Sequence, residues 1–215
     1  DLVHTQDHPN GAWLMFANPS DNKRSDGFLP ADIHSNLMAA GIDHRWNDLI
    51  VGAALFSADD DVSFKGVQDS LEGERQGLAV YAKQQRDEAF IQGLAYFSNN
   101  SQRSTRTLII GEASSLASSR SDGASQGVSL EVGKAFSPKL TLGMQASADW
   151  VQVDAYRESG QTGFELQFKD ENLTRYLLGP DIRYQSSMGR KFSWNAQLGY
   201  RYVLNEVNTD MQAAY

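Results

Sequence analysis

The stretch that decides the fold is Leu140–Trp150, which reads Leu-Thr-Leu-Gly-Met-Gln-Ala-Ser-Ala-Asp-Trp. Apolar residues occupy every second position of this run, and polar or small residues occupy the positions between them. Successive side chains of a β-strand point to opposite faces of the sheet. The alternation therefore predicts a strand with one apolar face and one polar face.

The same two-residue period recurs along the chain. It is clear in residues 128–133, 174–184 and 192–202, and weaker in residues 12–17, 36–46, 49–57, 76–83, 90–97 and 106–113. No stretch repeats apolar residues at spacings of three and four over several turns, so helices have little support. We predict roughly nine or ten strands in a single all-β, antiparallel domain over the whole chain.

The connections between these strands fall into two length classes. Short turns are predicted at residues 46–48, 86–88, 136–139 and 188–191, and long polar loops at residues 18–32, 58–74, 114–126 and 154–171. The two classes alternate, which places all short turns at one end of the sheet. This segregation is typical of outer-membrane β-barrels, and a soluble β-sandwich has no reason to show it. The pattern favours an antiparallel transmembrane β-barrel.

Composition excludes several other classes of protein. The 215 residues carry 19 Lys and Arg against 27 Asp and Glu, a net charge of −8, which argues against a nucleic-acid-binding protein. The absence of cysteine excludes a disulfide scaffold and thiolate metal sites. No apolar run approaches the length of about 20 residues that a membrane-spanning helix needs. A soluble β-rich domain and a transmembrane β-barrel remain.

The two phases of the predicted strands define two faces. Charged residues of the polar phase lie in mid-strand and are expected to face the lumen of the barrel: Glu131, Asp149, Arg175, Asp181, Arg183 and Arg201. Residues of the apolar phase, with aromatics near strand ends, are expected to face lipid or form interfacial girdles: Trp46, Leu142, Met144, Trp150, Tyr176, Tyr184, Trp194, Tyr200 and Tyr202.

Two stretches of sequence resemble the β-domain of bacterial autotransporters. Residues Val151–Gly160 match its loop pattern V-x-V-(D)-G-(F/Y)-x-E-x-G at Tyr156, Glu158 and Gly160, with Ala155 in place of the usual glycine. The hairpin around Trp46 is similar to the family pattern G-x-D-x-R-x-x-D-N-W-L-x-G-A-A-L-G-Y. The resemblance extends from Gly11 to about Leu204 and is strongest to barrels that carry GDSL-type esterase passengers.

This resemblance implies an outer-membrane translocator domain of type V secretion in a Gram-negative bacterium, which anchors and exports its own N-terminal passenger. The implied partners are outer-membrane lipid, the passenger with its linker, and the barrel-assembly machinery; no cofactor is implied. Family barrels have twelve strands, so we expect this domain, residues 1–215, to lack the last strands. Residues 1–10 are expected to be a remnant of the linker. The charged residues of the polar phase either hold that linker or pair with each other and stabilise the wall.

Three alternatives stay open: an outer-membrane porin or adhesin barrel without a passenger, the membrane anchor of a surface esterase whose catalytic passenger lies elsewhere, and a soluble β-sandwich binding module. We predict no catalytic, cofactor-binding or metal-binding residue. Gly123–Gly127 fits the pattern G-x-S-x-G, but a nucleophile elbow must follow a strand and open a helix. Asp59–Asp61, at the start of a predicted loop, lack the glycine and glutamate spacing of a calcium loop.

Overall fold

The computed structural model describes residues 10–18, 20–23, 31–65, 67, 69–110, 113–160, 165–188, 192–205 and 213–214. Within these ranges every regular element is a β-strand. A helix long and apolar enough to cross a membrane does not occur in the described part of the chain. The strands are β1 (Asn10–Ala17), β2 (Ser20–Lys23), β3 (Ala31–Trp46), β4 (Leu49–Phe64), β5 (Ser70–Arg86), β6 (Ala89–Ile110), β7 (Ala113–Ala135), β8 (Leu140–Val153), β9 (Tyr156–Arg157), β10 (Gln167–Phe168), β11 (Glu171–Met188), β12 (Phe192–Gly199), β13 (Tyr202–Val203) and β14 (Ala213–Ala214).

One large antiparallel sheet contains most of these strands. Its order is β1-β3-β4-β5-β6-β7-β8-β11-β12, with β2 paired to β3 and β13 paired to β11. A small second sheet has the order β14-β10-β9. In the large sheet, each long strand pairs with the long strands before and after it in sequence. The chain therefore forms a meander of hairpins, as the alternation of the sequence predicted.

Tight turns join the hairpins at one end of the large sheet, which we call the short-turn end. Asn47 and Asp87 adopt the left-handed conformation, with φ of 52° and 53°. Asn and Asp tolerate this conformation better than other non-glycine residues, and it suits two-residue hairpin turns. The predicted turns at 46–48, 86–88 and 136–139 are confirmed. Residues 189–191 of the fourth lie outside the described residues, but β11 and β12 pair as expected.

At the opposite end of the sheet, which we call the long-loop end, the strands extend further than the sequence predicted. β6 and β7 have 22 and 23 residues, and their pairing is unbroken from Ala89–Lys134 to Ile110–Ala113. The whole predicted loop at 114–126 is therefore strand, and so are residues 58–64 and 70–74 of the loop predicted at 58–74. Serines and charged residues are frequent in these parts, which have no regular apolar phase, and backbone pairing with the neighbouring strand holds them in the sheet. A transmembrane strand needs only about 9–11 residues, so the β6–β7 hairpin projects well beyond a bilayer.

The two faces of the large sheet differ in exposure, in the opposite sense to a soluble protein. The apolar face, which carries Leu142, Met144 and Trp150, is exposed. The charged face is covered: Glu131 is only 4 % exposed and Asp181 only 2 %. Soluble proteins bury large apolar side chains and expose carboxylates. The described residues thus have the burial pattern of a sheet whose apolar face meets lipid, and not that of a β-sandwich.

Candidate functional site

The charged face is the part of the molecule where sequence and structure concentrate interacting groups. The strand register sets its rows: Lys83 lies opposite Gln92, Gln92 opposite Glu131, and Glu131 opposite Gln145. Because side chains of directly opposed residues lie within about 5 Å at Cβ, groups distant in sequence become neighbours. Two clusters of charges result.

The first cluster is centred on Arg183 near the short-turn end. Its Nη2 donates to both carboxylate oxygens of Glu131 at 2.7 and 2.6 Å, and its Nε lies 2.8 Å from Oδ1 of Asp181. Gln92 donates to Glu131 at 2.6 Å, and Arg201 Nη2 lies 3.8 Å from Asp181. Arg201 also donates to the side-chain oxygen of Gln145. This cluster joins four of the six predicted lumen-facing residues.

The second cluster is centred on Asp149 and contains the other two predicted residues. Arg175 Nη2 donates to Asp149 Oδ2 at 3.1 Å, and the Tyr96 hydroxyl donates to Oδ1 at 2.9 Å. The Asp149 side chain is largely covered, whereas that of Arg175 is exposed. All six charged residues therefore lie on one face and make contacts within it. That this face lines a lumen stays a prediction.

Aromatic residues on the charged face are a feature that the sequence analysis missed. Trp13 Nε1 donates to the Tyr81 hydroxyl at 2.8 Å, and that hydroxyl lies 3.4 Å from Asp43 Oδ2. The Tyr81 ring lies directly over Gly52, where any side chain would collide with it. The sequence analysis assigned aromatic residues to the lipid-facing side, as is typical of barrels, and therefore missed Trp13 and Tyr81. The available signal was their position in the polar phase, opposite glycine on the neighbouring strand.

At the glycines of the polar phase, side chains of neighbouring strands occupy the space that the side chain of a larger residue would otherwise take. A Cβ atom at Gly127 would lie 2.5 Å from the Tyr96 ring, and one at Gly143 would lie 2.7 Å from Glu131 Oε1. The Phe90 ring covers Gly133 in the same way. These glycines allow large side chains of neighbouring strands to lie flat against the wall.

Two further cations lie on the charged face at the short-turn end. Arg45 and Lys83 flank Ile50 in one cross-strand row and line a cavity of about 300 Å³ together with Gln85 and the turn residues Asn47, Asp48 and Asp87. Lys83 Nζ lies 5.5 Å from the centre of the Phe90 ring. Among the described residues, neither cation forms an ion pair with a carboxylate, in contrast to Arg175, Arg183 and Arg201.

The predicted lipid-facing residues lie on the exposed side of the sheet. Those with described side chains are all exposed: Trp46, Leu142, Met144, Trp150, Tyr176, Tyr184, Tyr200 and Tyr202. Trp194 pairs with Ser186 through β12 and β11, and its side chain lies outside what the structure describes. Trp46 and Tyr184 are near the short-turn end and Trp150 is near the other edge of the apolar face, as two girdles require. Contact with lipid stays a prediction.

The motif loop, described in residues 154–160 and 165–170, folds back onto the long-loop end of the sheet. The Tyr156 ring stacks on Phe168 with 4.5 Å between ring centres. Glu158 is 7 % exposed and accepts from Arg106 Nε at 2.5 Å and Nη2 at 2.7 Å. Gly160 lies against Glu165, so closely that a Cβ atom would be 2.6 Å from its Oε1. Each motif residue thus has a packing role in this loop.

Two groups of this loop have shifted pKa values. The hydrogen bonds from Arg106 lower the pKa of Glu158 below its usual range, although burial opposes the shift. Burial raises the pKa of Tyr156, with a smaller contribution from the nearby Glu158 and Glu171 carboxylates. Both groups lie outside the segments expected to span the membrane. Glu158 is therefore ionised at neutral pH, and Tyr156 is neutral.

The structure gives no support to the two sequence patterns that suggested catalysis or calcium binding. Gly123–Gly127 lies inside β7, in extended backbone, and does not form a strand-to-helix elbow. Asp59–Asp61 lie in β4 and not in a loop; Asp60 pairs with Arg75 at 2.7 Å on the charged face. The two flanking aspartates point to the opposite face. No group of three or more potential metal ligands occurs within the described ranges.

A meander with an exposed apolar face and an internally paired charged face defines the class of membrane-spanning β-barrel proteins. The family model for the autotransporter beta-domain matches residues 13–215, and the chain belongs to this family. Its structure is similar to the translocator domain of the autotransporter NalP from Neisseria meningitidis, with a TM-score of 0.84 and 12 % identity. The likeness covers 97 % of this chain and 75 % of that one. The comparison with curated proteins finds no match.

The family resemblance, the all-β barrel fold and the outer-membrane location predicted from the sequence are therefore confirmed. The chain is an outer-membrane translocator domain, which anchors and exports its own passenger. This family is not a catalytic one. A porin or adhesin barrel without a passenger does not account for the family match.

Proposed function

We propose that the charged face lines the secretion lumen, that the apolar face contacts outer-membrane lipid, and that the chain contributes no catalysis to export. The observation that supports this assignment is the inverted burial along single strands. In β8, Leu142 and Met144 are exposed, whereas the intervening positions face the covered, charged side. Lipid stabilises exposed apolar side chains, and a hydrated lumen accommodates charges.

The ion pairs of the charged face support a wall-stabilising role for the six predicted lumen residues. Glu131, Asp149 and Asp181 each contact an arginine of the same face. Removal of one partner from a covered ion pair leaves an uncompensated charge, which is strongly destabilising. Because these charges are already paired with one another, they have little remaining capacity to bind a ligand. We therefore assign these six residues to the wall, which is the second of the two readings that the sequence left open.

The linker-holding role fits a different part of the charged face. Arg45 and Lys83 line one cavity, and among the described residues neither forms an ion pair with Asp48 or Asp87 of the same cavity, so both cations can still attract an anionic neighbour. β1 begins at Asn10, opposite His44 and therefore one residue from Arg45. The described start of β1 thus lies at this end of the sheet. We assign the contact with an acidic part of the linker to Arg45 and Lys83.

The strand order supports insertion by the barrel-assembly machinery, the remaining partner that the family implies. Long strands that are consecutive in sequence are neighbours in the sheet, so the wall can form hairpin by hairpin. Each hairpin added satisfies backbone groups that would otherwise be unpaired in hydrocarbon, at a cost of several kcal/mol each. The kinship with esterase-bearing autotransporters stays a prediction from the sequence.

Heat-modifiable gel mobility tests the proposed function. The protein in outer membranes, and the same protein after transfer to detergent, is expected to migrate as a compact species that shifts on boiling. The reference sample is the protein in buffer without detergent, which is expected to aggregate because its apolar face is uncovered. A monodisperse protein with cooperative unfolding in plain buffer would contradict the lipid assignment and restore the β-sandwich alternative.

A further inference from the structure

The motif loop is attached to the sheet at a single defined place. Ser159 and Ser118 exchange two backbone hydrogen bonds, of 2.7 and 3.0 Å, on the edge of β7 that β8 leaves after pairing Val153 with Gly123. The loop therefore continues the large sheet beyond the last residue of β8. β9, β10 and β14 then follow in order. The wall on this side extends past the membrane as a row of short strands.

The register shows on which side of the sheet Glu158 lies. Because Ser159 pairs with Ser118, Glu158 is next to Ser119, a buried residue of β7 that shares a face with Glu131. Arg106 on β6 shares that face, since the β6–β7 register has no bulge. The ion pair between Arg106 and Glu158 thus spans β7 on the charged side of the wall, above the opening of the lumen.

The Glu158 carboxylate is the centre of the attachment. Besides the two hydrogen bonds from Arg106, Oε2 accepts from the Leu166 amide at 2.8 Å, and the Glu158 amide donates to the Leu166 carbonyl at 2.9 Å. One side chain therefore joins β6 to both arms of the loop. The stacked rings of Tyr156 and Phe168 close the loop beneath it.

We propose that Glu158 and Arg106 form a clasp that holds the motif loop against the extended wall, and that protonation of Glu158 releases the loop. The glutamate of the family motif then acts as a positioning residue for the wall at the outer opening, a role that the translocator function does not require by itself. Neutralising the buried carboxylate removes its charge from the ion pair with Arg106 and weakens the two hydrogen bonds that join them.

The charges around Glu158 determine the direction of the pH dependence. Arg106 faces it from β6, Tyr156 and Glu165 lie near it on the two arms of the loop, and Ala117 and Ser119 of β7 bring no charge. The arginine lowers the pKa of Glu158 in the folded protein. The clasp therefore holds fully above the ordinary glutamate pKa of about 4.3 and opens as the pH falls through the lowered value.

Trypsin treatment of outer membranes that contain the protein tests the clasp at neutral pH. The bond between Arg157 and Glu158 lies in the clasped segment, so it is protected while the loop is held. Glu158→Gln is expected to increase the rate of cleavage at this bond about tenfold or more, after each rate is divided by that of the same heat-denatured protein to remove the effect of the substitution on trypsin itself. Arg106→Lys, which keeps the charge but loses the two-point contact, is expected to have a smaller effect. Glu171→Gln removes a carboxylate at the start of β11 and serves as the matched control.

Equal cleavage rates in wild-type protein and Glu158→Gln, with heat-modifiable mobility intact in both, would overturn the clasp and leave the proposed function standing. Loss of heat-modifiable mobility in the wild type would instead count against the proposed function. Hydrogen exchange of the wild-type protein tests whether protonation opens the clasp, without any variant. The protection factors of the Ser118, Glu158 and Ser159 amides are expected to hold down to about pH 4.3 and to fall as the pH is lowered further, while that of Val128 persists. Unchanged protection at all four amides would refute the proposal.

Discussion

Strands β6 and β7 run through two regions of the molecule. One is the band of the sheet that is expected to lie in the membrane. The other is the projecting hairpin, residues 106–110 with 113–117. In the band, each strand is paired on both sides and alternates between an apolar and a charged face. In the projecting hairpin, β6 and β7 pair mainly with each other, because β5 ends its pairing at Thr105 and β8 at Gly123. The motif loop supplies the missing support through Glu158.

This difference shows that one strand can be stabilised by different means along its length. Within a bilayer, backbone groups must be paired and outward side chains must be apolar. Outside it, water satisfies free backbone groups, and an isolated ion pair with a few hydrogen bonds can decide whether a loop stays attached. Substitutions matched in chemistry but placed in the two regions should therefore differ in effect.

The largest effect is expected where a covered charge loses its partner. Arg183→Ala leaves Glu131 and Asp181 covered without their shared cation, and we expect the free energy of unfolding to fall by about 3–5 kcal/mol. Chemical denaturation in lipid vesicles, followed by tryptophan fluorescence, measures the change. Arg103→Ala, which breaks the exposed pair with Glu72 at 4.0 Å, is the control and should cost less than about 1 kcal/mol. Equal losses would contradict the wall assignment.

Arginine substitutions on the apolar side compare the two regions directly. Val128 in the band and Leu116 in the projecting hairpin are both 48 % exposed and both point away from the charged face. Val128→Arg is expected to reduce stability in lipid by about 2–4 kcal/mol, as for arginine near a bilayer midplane. Leu116→Arg should change it by about 0.5 kcal/mol or less. Similar losses of stability for the two variants in the same vesicles would show that both regions lie in the same environment.

A smaller effect is expected where a ring lies over glycine. Gly127→Ala places a methyl group against Tyr96 and disturbs its hydrogen bond to Asp149, at an expected cost of about 1–3 kcal/mol. Gly93→Ala is the control, because the nearest atom to a Cβ there is 3.7 Å away. The denaturation midpoints of the two variants give the comparison. A neutral Gly127→Ala would mean that the ring has room to move.

The sequence analysis succeeded where each strand has two chemically distinct phases. In β8 and β11 the alternation predicted which residues share a face, and the structure places Asp149 and Arg175 opposite each other as neighbours. It failed in residues 58–64 and 114–126, which were predicted to be loops. Serines and charged residues occur there in both phases, so no period is visible. Backbone pairing with the neighbouring strand, which the sequence does not display, makes these residues extended.

The amino-acid sequence by itself determined the class of fold, the location of the tight turns and the two faces of most strands. These features depend on residues close in sequence, since side-chain alternation and turn conformation are local properties. Only the tertiary structure decided the partners of the charges: Arg183 with Glu131, Tyr96 with Asp149, and Arg106 with Glu158. Those contacts follow from strand register and from the folding back of a loop, and many sequence positions separate the atoms that meet.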